Sequence, residues 1–411
     1  MTNTLQQYQQ ELHAELSDIL QYWIQHSPDE KNGGFYGKID GENKPDETAP
    51  KGAVLNARIL WSFSAAYNCT KQEKYLAIAH RAFQYITTYF IDKEYGGIYW
   101  TLNYKGQPED TKKQIYAISF LQYACSEYYQ STKLEAAKKL AVDLYHLIEQ
   151  RSFDAIQTGY LEAFTRQWQP MDDLRLSSKD ANEKKTMNTH LHVLEAYTNL
   201  FRIWPDEALH KSIVLLIKNF TGHIINKKSW HLHLFFSEQW EVKGNIVSYG
   251  HNIEAAWLLL KAAEVIKDEK LITQLKTIAV KIADATTKGL DADGGLWYEK
   301  EEEHLVKQKH WWPQAEAMIG FFTAWQITGM RNYLSYSFNS WQFVKNKMID
   351  HANGEWFWGV DEKGKAMQGE DKVGLWKCPY HNSRACIELI KRIEGLQENK
   401  LTMPAYNGLV S

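Results

Sequence analysis

Lys31-Asn-Gly-Gly-Phe-Tyr-Gly37 decides the fold, because the chain keeps returning to it. Paired glycines ahead of an aromatic residue describe a tight turn entering a short strand, since glycine takes the left-handed backbone conformation without a Cβ penalty. The pattern comes back as Glu94-Tyr-Gly-Gly-Ile-Tyr-Trp100, Gln157-Thr-Gly-Tyr-Leu-Glu162, Asp291-Ala-Asp-Gly-Gly-Leu-Trp-Tyr298 and His351-Ala-Asn-Gly-Glu-Trp-Phe-Trp358. Gly33 and Gly96 lie 63 residues apart, Gly96 and Gly159 another 63, and Gly294 and Gly354 60. The 135 residues from Gly159 to Gly294 hold two periods, which puts an unmarked sixth turn near 227–236.

Helical runs fill the intervals. Residues 5–23 place Leu5, Tyr8, Leu12, Leu16, Ile19 and Trp23 near helical spacing, and 53–67, 73–90, 114–129 and 134–150 continue the pattern. A pair of helices with a small hairpin cannot bury its apolar face alone, so neighbouring units stack. Six units predict an all-α fold: one (α/α)6 barrel of helical hairpins over residues 1–411, a single domain with short β-hairpins in its connections. An open helical solenoid is the competing arrangement. A Rossmann fold lacks its glycine-rich fingerprint here, and a β-barrel lacks long strands.

Composition narrows the partners. A 411-residue chain with 44% hydrophobic residues and a formal charge of -3 reads as soluble and globular, and it is a poor match to nucleic acid. No apolar run of about 18 residues marks a membrane span, and the glutamine-rich start lacks signal-peptide character. Cys69, Cys125, Cys378 and Cys386 show no close metal-type pairing and fit a reducing, cytoplasmic setting. Asn68 and Asn219 head glycosylation-type triplets that mean little without secretion. Aromatic residues reach 13%, which favours an uncharged ligand with apolar faces, such as a sugar.

In this register the second helix of each pair starts near Ala53, Gln114, Met187, Gly250, Trp312 and Pro379. Their opening turns carry Asn56 and Arg58; Tyr116; Asn188, His190 and His192; His251 and Glu254; Trp312 and Glu316; and His381 with Arg384. Polar and aromatic groups at one end of alternate helices describe a pocket at one mouth of the barrel. Histidine moves protons near neutral pH. His251 and Glu254 stand three apart on one helix face, so Glu254 is expected to orient that imidazole. His192 is expected to face the pocket and His190 to serve structure. Arg58 suits an oxygen that becomes negative in a transition state.

These residues leave several chemistries open. Paired histidines without a cofactor suit proton transfer beside a carbonyl. Glu254 and Glu316 would instead suit glycoside hydrolysis, and a non-catalytic sugar-binding role would use only the aromatics. His192, His251, Glu254 and His381 are metal-ligand types, but they come from three separate segments with no His-Glu-x-x-His pattern, so no metal is expected. His231-Leu-His-Leu-Phe-Phe236 alternates like a strand with both histidines on one face.

Six segments then carry a resemblance: Pro50-Lys-Gly-Ala-Val-Leu-Asn-Ala-Arg-Ile-Leu-Trp61, Leu176-Ser-Ser-Lys-Asp180, Met187-Asn-Thr-His-Leu-His-Val-Leu-Glu195, Tyr249-Gly-His-Asn-Ile-Glu-Ala-Ala-Trp257, His310-Trp-Trp-Pro-Gln-Ala-Glu316 and Trp376-Lys-Cys-Pro-Tyr-His-Asn-Ser-Arg384. In this order they resemble the cellobiose-epimerising branch of the N-acylglucosamine 2-epimerase family. The resemblance implies an (α/α)6 barrel and metal-independent, cofactor-free inversion at C2 of the reducing-end sugar of a β-1,4-linked disaccharide. It casts His251 and His381 as the acid/base pair, His192 at the reducing-end oxygens and Arg58 at the enediolate. Tyr116 and Asn188 become hydroxyl contacts, Glu254 and Glu316 acidic supports, Trp312 and Trp376 the sugar's enclosure, and Asp180 a neighbour of the extended substrate. Relatives acting on free mannose or glucose keep a monosaccharide substrate as the alternative. The partner expected is a small sugar, with no nucleic acid or membrane, and the chain a monomer or weak homodimer.

Overall fold

The computed structural model describes residues 2–402. In chain order the helices are α1 (Thr2–His26), α2 (Ala53–Thr70), α3 (Glu73–Tyr85), α4 (Ile115–Thr132), α5 (Glu135–Arg151), α6 (Met187–Phe201), α7 (Glu207–Asn219), α8 (Tyr249–Ile266), α9 (Glu269–Thr286), α10 (Trp311–Thr328), α11 (Arg331–Phe343) and α12 (Tyr380–Thr402). Even-numbered helices make an inner ring: α2 packs on α4, α4 on α6, α6 on α8, α8 on α10, α10 on α12, and α12 back on α2. That last contact closes an (α/α)6 barrel and rules out the open solenoid. The expected starts of the inner helices fall within one residue of the observed ones.

Burial explains which helix of each pair goes inside. Helix α2 buries every residue from Ala53 to Ala66 and α10 every residue from Pro313 to Trp325, and a helix apolar around its circumference belongs in an interior. Outer helices bury one stripe, as α9 does with Leu275, Ala279, Ile282 and Ala283. Helix α3 passes into a π-type turn over Ile86–Phe90, so the expected run to residue 90 is matched by helix plus turn. No described helix is long and apolar enough to cross a membrane.

Six short hairpins punctuate the ring, bridged at Pro28–Phe35, Ile91–Ile98, Phe153–Tyr160, Ile225–Leu232, Leu290–Leu296 and Ile349–Trp356. The fourth is the turn left unmarked in the sequence. Trp230 occupies its left-handed position at φ 61°, where other units carry Gly33, Gly96 or Gly354. Its amide donates to Asn226 O at 2.7 Å, and the Lys281 ammonium lies 4.2 Å from its ring centre. The alternating strand expected over 231–236 shrinks to Phe235–Phe236. His231 Nδ1 instead meets Asn252 Nδ2 at 2.8 Å, while His233 donates its backbone N–H to Ile224 O.

Each unit is stitched to the next by antiparallel pairs just before the inner helix. Lys51 pairs with Leu102, Lys113 with Phe164, Lys185 with Phe236, Ser248 with Glu299 and Lys309 with Val360. A bridge between Ile39 and Val373 joins the first unit to the last. These links bring the N-termini of the inner helices to one mouth.

Candidate active site

Two layers of side chains line that mouth. The second residues of five inner helices are Tyr116, Asn188, Gly250, Trp312 and His381; one turn deeper, the sixth residues are Arg58, Phe120, His192, Glu254 and Glu316. Side chains four apart lie above one another on a helix, so the two layers stack. Position 250 is glycine because a Cβ there would sit 2.4 Å from the Trp312 ring. His251, Asn188, Trp312 and Trp376 are half-buried at the rim, whereas Arg58, His192, Glu254, Glu316 and His381 are buried beneath them.

The three candidate histidines each have Nδ1 engaged. His192 Nδ1 lies 3.0 Å from Glu195 Oε2, His381 Nδ1 2.8 Å from Glu316 Oε1, and His251 Nδ1 2.9 Å from Ser248 Oγ. A carboxylate only accepts, so His192 and His381 carry hydrogen on Nδ1, and His381, which burial holds neutral, keeps the Nε2 lone pair. The Ser248 hydroxyl can donate or accept, so His251 is free in its tautomer. Helical spacing therefore misleads at one point: Glu254 does not hold His251, and its Oε1 accepts from Arg384 Nη2 at 2.5 Å.

The other side chains pack around this set. Arg58 Nη2 donates to Tyr116 Oη at 2.7 Å, and its guanidinium carbon lies 4.2 Å from the Phe120 ring centre. Arg58 Nη1 reaches the Trp376 carbonyl at 3.4 Å, and the Trp376 ring meets Tyr116 edge-on. The Trp312 ring stands 4.6 Å from His251 and 5.7 Å from His381, joining the two. Asn188 Oδ1 and Glu254 Oε2 are buried oxygens with no protein partner. Asp180 stays apart at the rim: its Oδ2 accepts from Ser177 N, and its charge helps burial push Glu299 up to about 7.

Charge in this floor is organised by burial. Burial, with His192 adding, brings His251 down to about 3, and burial with Arg58 and Arg384 holds His381 well below the usual imidazole range. Both imidazoles are neutral at pH 7. Burial opposes ionisation of Glu195, but Arg384 and His192 outweigh it and bring the carboxyl down to about 2. Burial and then Glu316 push Glu254 up to about 7. Oxygens of Glu254 and Glu316 and a nitrogen of His381 lie within 4.8 Å of one another, a spacing a cation would accept. Arg384 Nη2 already donates to both carboxylates, so the pocket supplies its own positive charge.

His190 is structural, and its position in the repeat says so. It is the fourth residue of α6, and its Nε2 accepts from Tyr160 N at 2.9 Å. The fourth residues of α8 and α10, Asn252 and Gln314, accept likewise from Leu232 N and Leu296 N. Sequence reasoning missed Glu195, Ser248 and Tyr380 and gave Arg384 no task; Ser248 and Glu195 each stand three residues from the histidine they meet, whereas the Arg384 and Tyr380 contacts to Glu195 cross between helices far apart in the chain. A cavity of about 300 Å³ at the opposite mouth, behind Glu195 and Trp257, contains none of the three histidines.

The family profile described as N-acylglucosamine 2-epimerase matches residues 34–385. A cellobiose 2-epimerase of Bacteroides fragilis is 48% identical over 93% of this chain and 98% of its own length. One from Dictyoglomus turgidum is 39% identical over 91% of this chain and 96% of its own. The solved cellobiose 2-epimerase of Bacillus thermoamylovorans superposes with a TM-score of 0.89 at 40% identity, covering 94% of this chain and 100% of that one.

Proposed function

The chain belongs to the N-acylglucosamine 2-epimerase family, and from that premise we propose that it inverts C2 of the reducing-end sugar of β-1,4-linked disaccharides, interconverting cellobiose and glucosyl-mannose. The observation that carries this reading is the histidine arrangement. His251 and His381 come from different inner helices, flank the Trp312 ring and are both neutral, with Nε2 of His381 kept as a free base by Glu316. Two such imidazoles fit removal of a proton from one face of a planar carbon by one, as base, and delivery of a solvent-derived proton to the opposite face by the other, as its conjugate acid.

The sugar ring opens first, and His192 attends the ring and C1 oxygens as they exchange a proton. With C1 an aldehyde, the C2 proton becomes acidic. One imidazole of the His251/His381 pair takes it, the C2–H electron pair moves into the C1–C2 bond, and the carbonyl oxygen takes the charge as an enediolate. The Arg58 guanidinium, fixed by Tyr116 and the Trp376 carbonyl, stabilises that oxygen. Rotation about C2–C3 turns the other face toward the second imidazole, which takes up a proton from solvent and delivers it to C2, while the first imidazole returns the proton it removed to solvent, so both end neutral. Asn188 Oδ1 and Glu254 Oε2 are unfilled acceptors suited to sugar hydroxyls, and Trp312 and Trp376 cover the apolar sugar faces. Asp180 stands at the rim as a contact for the second sugar.

No step calls for a metal, and Arg384 supplies the fixed cation of the floor. A cytoplasmic setting belongs to the same proposal, supported by the four free cysteines. The deciding experiment is a panel of cellobiose, lactose, mannobiose, glucose, mannose and N-acetylglucosamine with excess chelator, followed by NMR in D2O. Glucosyl-mannose labelled with deuterium at C2 is expected from cellobiose. Preferential turnover of free mannose would reject the disaccharide substrate, released glucose would indicate hydrolysis, and loss of turnover restored by one ion would require a metal.

The two acid/base histidines, His381 buried and His251 half-buried at the rim, also set the pH response. Holding His251 down to about 3 keeps its base form through the mildly acid range. A free imidazole near 6.5 would be only about 10% neutral at pH 5.5. We expect kcat at pH 5.5 to stay above about half its pH 7.5 value. A fall in kcat tracking an ordinary imidazole would show that the bases are solvated in the working enzyme.

A further inference from the structure

Among the described residues, Arg384 is the one arginine or lysine paired with the three buried carboxylates of the site floor. Its Nη1 donates to Glu195 Oε1 and to Tyr380 Oη, and its Nη2 donates to Glu254 Oε1 at 2.5 Å and Glu316 Oε1 at 2.6 Å. Tyr380 Oη closes the loop by donating to the second Glu195 oxygen at 2.6 Å. The same Glu195 oxygen meets His192 Nδ1, and the Glu316 oxygen that takes Arg384 also meets His381 Nδ1. Trp257 Nε1 fixes the other Glu316 oxygen at 3.0 Å. Arg384 itself is 0% exposed and touches neither histidine ring through a hydrogen bond.

We propose that Arg384 is a positioning residue for the epimerisation, a single guanidinium that aligns the carboxylates holding His192 and His381 and so couples the two imidazoles. The rigid fork of arginine presents donors to both sides at once, whereas a lysine ammonium is a point charge that serves one side. Hydrogen-bond partners behind a reacting imidazole fix its tautomer and ring direction. The inference rests on the epimerase reading for its kinetic arm only. Its structural arm, the hydrogen on Nδ1, is read without substrate.

The test compares the full chain with Arg384→Met and Arg384→Lys, using imidazole ¹⁵N spectra of histidine-labelled protein beside cellobiose kinetics. In the unsubstituted chain His192 and His381 are expected to show protonated Nδ1. Arg384→Met should disturb both resonances and lower kcat by about 100-fold or more, with KM changed less than about threefold. Arg384→Lys should restore one resonance better than the other and recover kcat only partly. Unchanged spectra and kcat in a folded Arg384→Met chain would overturn the proposal. If that variant does not fold, Glu195→Gln decides: a shifted His381 resonance supports coupling through Arg384, and an unshifted one refutes it. If no variant or parent turns over cellobiose while the spectra behave as expected, the substrate reading fails and the positioning role stands.

Discussion

Replacing His381 with Asn is expected to lower kcat for cellobiose epimerisation by about 1,000-fold while leaving the fold intact. The Asn side chain is shorter than imidazole and keeps an N–H to offer Glu316, so the carboxylate is not stranded. What disappears is the neutral Nε2, and general acid–base catalysis by one positioned group contributes roughly 10²–10⁴-fold. His251→Asn should cost a similar factor, because each base serves one face. The two variants should differ in isotope exchange. Each is expected to retain slow exchange of the C2 hydrogen for deuterium on one epimer only, the epimer whose proton faces the surviving imidazole. Wild-type turnover in either folded variant, or exchange on both epimers in each, would reject the paired-base assignment. Melting temperatures close to the parent's exclude a folding defect as the cause.

Legibility followed the type of contact. The ring was readable because its signal is periodic: left-handed glycines in five of the six hairpin turns and helical apolar spacing between them. The fourth turn was placed by counting, although Trp230 stands at its left-handed position and hides it. Most of the mouth residues were readable because they occupy the second and sixth positions of successive inner helices, a regularity that any single helix conceals, while His251 stands third in α8 and Trp376 ahead of α12. The floor was not. Glu195 is 189 residues from Arg384, and no local pattern links Trp257 to Glu316. His251 and Glu254 show the opposite error, a plausible i,i+3 pair broken because a stronger partner, Arg384, arrives from α12. His190 differs from His192 in that its Nε2 accepts from Tyr160 N, a place in the repeat that shows only when it is compared with Asn252 and Gln314 in later units.

The repeat also makes a stability prediction, and its control is already written into the chain. In five turns the leading Asp is bridged by a lysine: Asp29–Lys51, Asp92–Lys113 and Asp154–Lys185 at 2.8 Å, Asp291–Lys309 at 2.6 Å and Asp350–Lys372 at 2.7 Å. In the fourth turn the leading residue is Asn226, and Val247 stands two residues before the inner helix, where Lys51, Lys113, Lys185 and Lys309 stand in their units. Both halves of the pair are missing together. That is what electrostatics requires, because a buried ion pair can be replaced whole at little cost, whereas removing one partner strands the other charge. Asp29→Asn is therefore expected to destabilise the fold by about 3–5 kcal/mol, since Lys51 is 1% exposed and its ammonium would be left with the Gly33 carbonyl and the Tyr85 ring. The turn itself should survive, because Asn226 Oδ1 accepts from Lys228 N and Ser229 N much as Asp29 Oδ1 does from Lys31 N and Asn32 N. Adding Lys51→Val reproduces the fourth unit and should return most of the lost stability. Denaturant unfolding of the two single variants and the double variant measures the cycle. Additive losses with no recovery in the double variant would show that the lysine acts through packing rather than through its charge.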